Sequence, residues 1–80
     1  MPRMAVKSVY RAVTPAQNRE DKANHTRVIV TASRDNVDDQ PVVYEIHAPE
    51  EALVETDVEG EYMFDWGDVE KYPYQVEHRG

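Results

Sequence analysis

The chain has 80 residues, no cysteine and a net charge of −7 at pH 7. This length predicts one small domain over residues 1–80, and the lack of cysteine excludes disulfides and thiolate metal sites. No apolar run reaches the ~18 residues of a membrane span, and no signal-peptide core follows Met1. We therefore expect a soluble cytoplasmic protein, located in the host cytoplasm if a phage encodes it.

The apolar residues are mostly β-branched: valine occurs twelve times and leucine once. Such a composition favours strands over helices. The predicted fold is mainly β, or α+β with one short helix, and is built on a small antiparallel sheet of four or five strands. A small SH3-like barrel is the alternative to an open sheet.

The charge is distributed unevenly along the chain. Residues 1–34 carry a net +5, residues 35–70 carry −13 without a single Lys or Arg, and residues 71–80 carry +1. An asymmetry of this kind bears on solubility and on the choice of partners rather than on the fold.

In the first half of the chain, residues 3–13 fit either a helix face or a strand, and their β-branched content favours a strand. Residues 14–25 begin with helix-capping signals but are polar on every side, so we predict an exposed loop with at most one helical turn. Residues 27–33 and 42–47 are predicted strands, and the turn formers between them predict a hairpin.

In the second half, residues 48–53 are predicted to form one or two helical turns. Residues 54–66 alternate, with acidic residues on one parity and apolar or aromatic residues on the other, which is a strand pattern. The segment is longer than a usual strand, so we expect a bend or hairpin near residues 57–60, with Gly60 at the turn. The residues after Gly67 predict a short edge strand or a tail.

The acidic parity of residues 54–66 has two interpretations. It is either the solvated outer face of a sheet or a surface for a basic partner, such as the nucleic-acid site of another protein. The absence of bases from residue 35 to residue 70 favours the second. The candidate partner-binding residues are Glu55, Asp57, Glu59, Glu61, Asp65, Asp35, Asp38, Asp39, Glu50, Glu51, Tyr72 and Tyr74.

No residues suggest catalysis, a metal or a cofactor. A nucleophile motif and a glycine-rich phosphate loop are both missing. The aspartates of residues 35–39 lack the calcium-loop pattern, and the three histidines lack metal-ligand spacing. Tyr62, Phe64 and Trp66 are predicted to be core residues, and the alternative is an exposed aromatic face that anchors a partner. The acidic total opposes direct nucleic-acid binding, and we expect no membrane contact.

In size, acidity and lack of catalytic residues, the chain resembles the small inhibitors of phages and mobile elements, including anti-CRISPR and DNA-mimic proteins. The resemblance lies in composition and implies a non-catalytic protein that blocks a basic surface. One alternative is an assembly subunit, in which the +5 segment of one copy meets the −13 segment of the next. Another is adaptation to high salt, in which the acidic residues serve solvation alone.

Overall fold

The computed structural model describes residues 5–79, which contain one antiparallel sheet, one α-helix and three 3₁₀ segments. The sheet has six strands in the order β4-β5-β2-β1-β3-β6, so it is open, with β4 and β6 at its edges. The predicted mainly β class is confirmed, with one strand more than expected. The elements are β1 Val6–Val13, α1 Pro15–Asn24, β2 Arg27–Thr31, β3 Val42–Pro49, β4 Val54–Glu55, β5 Glu61–Asp65, β6 Tyr74–His78, and the 3₁₀ segments Arg34–Asn36, Glu50–Ala52 and Trp66–Lys71.

The predicted hairpin between residues 27–33 and 42–47 is wrong, because β1 lies between β2 and β3. Strand β1 pairs with β3 from Val6↔Pro49 to Val13↔Val42, but with β2 only at Tyr10↔Thr31. Both β1 and β3 have eight residues, whereas β2 has five. The longer ladder satisfies more backbone groups, and the connection after β2 is long enough to let β3 reach the far side of β1.

The core lies on one face of the sheet. It contains the alternating aromatic residues of β5 and the residue after it, which confirms their predicted burial. Phe64 and Trp66 are buried, Tyr62 is half-buried, and they pack with valines and Ile46. Each fully buried large apolar side chain contributes roughly 1.5–3 kcal/mol relative to its exposed state. Strand β5 is therefore anchored by its even-numbered residues, which leaves its odd-numbered residues on the outer face.

The predicted loop over residues 14–25 is wrong, since Pro15–Asn24 form helix α1. Its start follows the capping signals: Thr14 Oγ1 accepts a hydrogen bond from the backbone N–H of Gln17 at 3.1 Å, and Pro15 begins the helix. Its end is formed by His25, whose φ of 51° is in the left-handed region. These caps satisfy the helix termini without an apolar face.

The helix is attached to the sheet by polar side chains rather than by an apolar stripe. Asn18 Nδ2 donates to the Tyr44 hydroxyl at 3.0 Å, and Asn18 Oδ1 accepts from Trp66 Nε1 at 2.7 Å. Arg11 Nη2 donates to Asp21 Oδ2 at 2.6 Å. Buried polar groups of this kind are favourable only when they are paired, so a helix polar on all sides is stable here because the sheet supplies its partners.

The predicted bend near residues 57–60 is confirmed, and it makes β4 and β5 a hairpin with Gly60 at φ 82°. A β-carbon at Gly60 would meet nothing within 4 Å, so a substitution there costs only backbone strain. Gly60→Ala is expected to lower the free energy of unfolding by about 1 kcal/mol, and Gly60→Asn by less, because Asn tolerates the left-handed region. Urea unfolding of the three chains measures the difference. Equal stability of the Ala variant and the parent would contradict the strained turn.

Candidate partner-binding surface

The turn between β4 and β5 presents a closely spaced set of carboxylates, which we call the acidic hairpin. Thr56 closes it: its hydroxyl oxygen lies 3.2 Å from the carbonyl oxygens of Val58 and Glu61, to either of which it can donate, and it accepts from the Val58 N–H at 3.1 Å. The backbone N–H of Glu61 donates to the Val58 carbonyl at 3.1 Å. These bonds fix the turn that holds four carboxylates, those of Glu55, Asp57, Glu59 and Glu61.

The bend distributes the acidic residues over both faces of the hairpin. Glu55 pairs with Tyr62, so it lies on the core side, whereas Val54 pairs with Met63 on the outer face. Glu61 shares the outer face with Met63, because residues two apart on a strand point the same way. The carboxylates therefore form a cluster around a turn rather than a row on one face.

The acidic hairpin is uncompensated, unlike most of the acidic stretch around it. Within residues 5–79, no Lys, Arg or His nitrogen lies within 4.0 Å of its carboxylate oxygens, and the same holds for Asp35, Asp38, Asp39 and Glu51. Five acids elsewhere in residues 35–70 do have such partners. These pairs are Glu45–His47, Glu50–Lys7, Asp65–His25, Asp68–Lys71 and Glu70–Lys22.

Two surface grooves adjoin the acidic hairpin. Asp38 and Glu61 line one of about 250 Å³ on the outer side, together with Tyr10 and Ile29. Glu50 and Glu55 line another of about 180 Å³, together with Lys7. Asp38 and Glu50 therefore lie beside the hairpin, and Glu50 is paired there with Lys7.

Other candidate residues lie elsewhere. Asp65 is at the opposite end of β5 from Glu61, and its cross-strand neighbour on β2 is Arg27. Tyr72 is half-buried against Phe64, with ring centroids 6.1 Å apart, and Tyr74 is 41% exposed on β6, the other edge of the sheet. The exposed Asp35, Asp39 and Glu51 are in the connections before and after β3 and line neither groove.

An apolar row beside Glu61 was not predicted from the sequence. Val54, Met63 and Ile29 are direct cross-strand neighbours on the outer face of β4, β5 and β2. Val54 is 55% exposed and Ile29 46%, while Met63 is half-buried between them. Each of the three is an apolar residue on the outward-facing side of its own strand, but only the pairing of the strands brings them next to one another.

His25, Asp65 and Asp68 place one potential metal-ligand atom each within 4.8 Å of the others. All three already have protein partners. Asp65 Oδ1 lies 3.2 Å from His25 Nδ1 and accepts from the Gly67 N–H at 2.9 Å. Asp68 lies 3.0 Å from Lys71 Nζ, and this hydrogen bond raises the pKa of Lys71. The cluster is accounted for by the contact of His25 with Asp65 at the end of β5 and by the Asp68–Lys71 pair within the Trp66–Lys71 segment.

Comparisons of the chain with protein-family models, with curated proteins and with solved structures give no match. Function is therefore inferred from the residues and their geometry. Within residues 5–79, no helix is long and apolar enough to cross a membrane.

Proposed function

We propose that this is a non-catalytic binding protein whose acidic hairpin occupies a basic surface of a partner protein. The observation that carries the proposal is the unpaired charge of the hairpin: four carboxylates lie within seven residues, and in residues 5–79 no Lys, Arg or His nitrogen lies within 4.0 Å of their oxygens. Carboxylates gathered around one turn repel one another, by an amount that depends on their separation and on screening by salt. A basic partner removes this repulsion on binding, so the free protein is poised for such a partner.

A nucleic-acid-binding site is the kind of basic surface that we propose. Such sites present Lys and Arg side chains to neutralise phosphates, and carboxylates compete for the same side chains. The apolar row of Val54, Met63 and Ile29 beside Glu61 adds contact area of the kind found at the centre of protein interfaces. Together they favour a folded protein partner over a free polycation.

Neutralising two hairpin carboxylates is expected to weaken partner binding by roughly tenfold, because two lost ion pairs of up to about 1 kcal/mol each approach that factor. The variant is Glu59→Gln with Glu61→Gln, which keeps side-chain size and therefore the fold. Its matched control is Glu20→Lys on α1, an exposed acidic residue outside the hairpin. Both variants change the net charge by the same amount, so only a specific role of the hairpin separates them.

The measurement begins with capture of partners from a lysate of the source organism at low salt, using the parent chain and both variants. The proposal expects one protein to be held by the parent and by Glu20→Lys, to be lost with the hairpin variant, and to elute at high salt. The purified partner should then lose affinity for a labelled nucleic acid as the parent chain is added. Equal capture by all three chains, or no capture, contradicts the proposal.

The two alternatives make different predictions for the isolated protein. The assembly subunit requires free bases, but Lys7, Arg11, Lys22 and Arg34 each pair with an acid of the same chain. Among residues 5–34, this leaves the exposed Arg19 and Arg27 for contact with a second copy. Its head-to-tail association would weaken as salt rises. Adaptation to high salt would instead make folding depend on molar salt, and unchanged stability in dilute buffer would remove that alternative.

A further inference from the structure

The two edges of the sheet differ in how well they are protected against pairing with another strand. Edge β4 has two residues and is flanked by the charges of the acidic hairpin. Edge β6, Tyr74–His78, has five residues, all exposed, with no Lys, no Pro and no glycine in the strand. Proteins usually prevent edge-to-edge pairing by a very short edge strand, by charged side chains or by proline. Of these features, β6 has only one acidic side chain, that of Glu77.

The hydrogen bonds of β6 to β3 show which backbone groups remain available. His47 N–H donates to the Pro73 carbonyl at 2.9 Å, and Arg79 N–H donates to the Pro41 carbonyl at 2.7 Å. In an antiparallel ladder, the backbone groups of alternate residues point to alternate sides. The odd-numbered residues of β6 therefore bond to β3, and Tyr74, Val76 and His78 direct their N–H and C=O groups away from the sheet.

We propose that two copies of this chain associate by antiparallel pairing of their β6 strands, centred on Val76. This register sets Val76 against Val76 of the second copy, Tyr74 against His78, and Gln75 against Glu77. All residues with outward backbone groups then form hydrogen-bonded pairs across the two-fold axis. The interface is isologous, which is the commonest symmetry of soluble homo-oligomers.

The side chains suit this register on both faces. On one face the two Val76 side chains meet at the axis and Tyr74 of each copy flanks them, which forms an apolar strip from residues that are 37% and 41% exposed. On the other face Glu77 of each copy approaches the axis already paired with Arg34 of its own chain. The two Glu77–Arg34 pairs bring no net charge to the centre, and no like charges are directly opposite one another.

The position of β6 also limits repulsion between two acidic chains. Residues 71–80 carry a net +1, and the acidic hairpin is at the opposite edge of the sheet. Pairing through β6 therefore places the two acidic hairpins at the far ends of one continuous sheet. Added salt screens the remaining repulsion between the chains, so this association strengthens with salt, whereas binding of a basic partner weakens.

The test introduces a positive or a negative charge at Val76, which faces Val76 of the second copy in the proposed dimer. Analytical ultracentrifugation of the parent chain over a concentration series is expected to show a monomer–dimer equilibrium. Val76→Lys and Val76→Glu should each weaken the dimer at least about tenfold, because like charges then face each other. An equimolar mixture of the two variants should restore a dimer, since the introduced lysine of one copy then faces the introduced glutamate of the other. Restoration by mixing is specific to a two-fold contact at this position.

The matched controls are Val6→Lys and Val6→Glu, which place the same charges at an exposed residue of β1 that lies outside both β6 and the acidic hairpin. They should leave the dissociation constant unchanged, and circular dichroism should show the same fold in all variants. A parent chain that stays monomeric up to about 1 mM, the weak end of measurable association, overturns the proposal. A dimer that does not respond to Val76 also overturns it. Neither outcome bears on partner binding by the acidic hairpin, which is tested separately by the Glu59 and Glu61 variant.

Discussion

Asp21→Ala is expected to lower the free energy of unfolding by about 3–5 kcal/mol, since it breaks a buried ion pair from one side. Asp21 is 4% exposed and accepts from Arg11 at 2.6 Å and from Gln17 Nε2 at 2.8 Å. Without it the guanidinium of Arg11, whose side chain is 14% exposed, loses its ion-pair partner. Its buried Nη1 has no hydrogen-bond partner within residues 5–79 even in the parent chain. A domain of this size has a total stability of roughly 4–12 kcal/mol, so this one change removes a large part of it.

Urea unfolding measures the effect, and a double variant serves as its control. Arg11→Met combined with Asp21→Leu replaces both charges by apolar side chains and should recover most of the loss. Hydrogen exchange should show lost protection in α1 of the Asp21→Ala chain, with β3 still protected. A loss well under ~1 kcal/mol would mean that water screens the pair, as at an exposed site, and that α1 is held by other contacts.

The same carboxylate predicts how stability depends on pH. Burial raises the pKa of Asp21, but the hydrogen bonds from Arg11 and Gln17 outweigh burial and hold the pKa below its ordinary value of 3.8. A depressed pKa in the folded state means that the contribution of Asp21 is complete above the unfolded value of about 3.9 and is lost as the pH falls through the folded value. The difference in stability between the parent and Asp21→Ala should therefore be constant above about pH 5 and shrink below about pH 4.

Trp66→Ala is expected to cost about 3–5 kcal/mol, comparable with the loss of Asp21. Trp66 is fully buried and meets Tyr44 and Phe64 edge-on, at centroid distances of 5.2 and 6.2 Å. The Arg11 guanidinium lies 4.6 Å from its ring centre, so the indole also faces a cation. Its removal leaves a cavity between the sheet and α1 and takes away the hydrogen bond to Asn18.

Trp66→Phe separates the hydrogen bond from most of the packing. It keeps an aromatic ring but removes the Nε1–H that donates to Asn18 at 2.7 Å. Leaving that half-buried acceptor without its donor should cost about 1 kcal/mol, the lower end of the range for a buried group. Asn18→Ala removes the same bond from the other side, so a double-mutant cycle gives the coupling between the two residues. A coupling near zero would show that packing alone carries the effect of Trp66.

The sequence by itself determined the features that depend on neighbouring residues. Alternation identified β5 and the burial of Phe64 and Trp66, and β-branched content identified β1, β2 and β3. The excess length of residues 54–66 and the glycine within it predicted the turn at Gly60. The net charge of each segment also follows from the sequence, because it depends only on the number of acidic and basic residues.

Only the tertiary structure decided which residues meet. Helix α1 has no apolar face, and its partners Tyr44 and Trp66 are 26 and 48 residues away from Asn18 in sequence, so no local pattern reveals them. The position of β1 between β2 and β3 follows from competition between ladders of different length. Within residues 5–79, the fold leaves the acidic hairpin without an ion pair, whereas five other acids of residues 35–70 each have a basic partner. Periodicity reports which way a side chain points, but contact between distant segments depends on the whole set of packed elements.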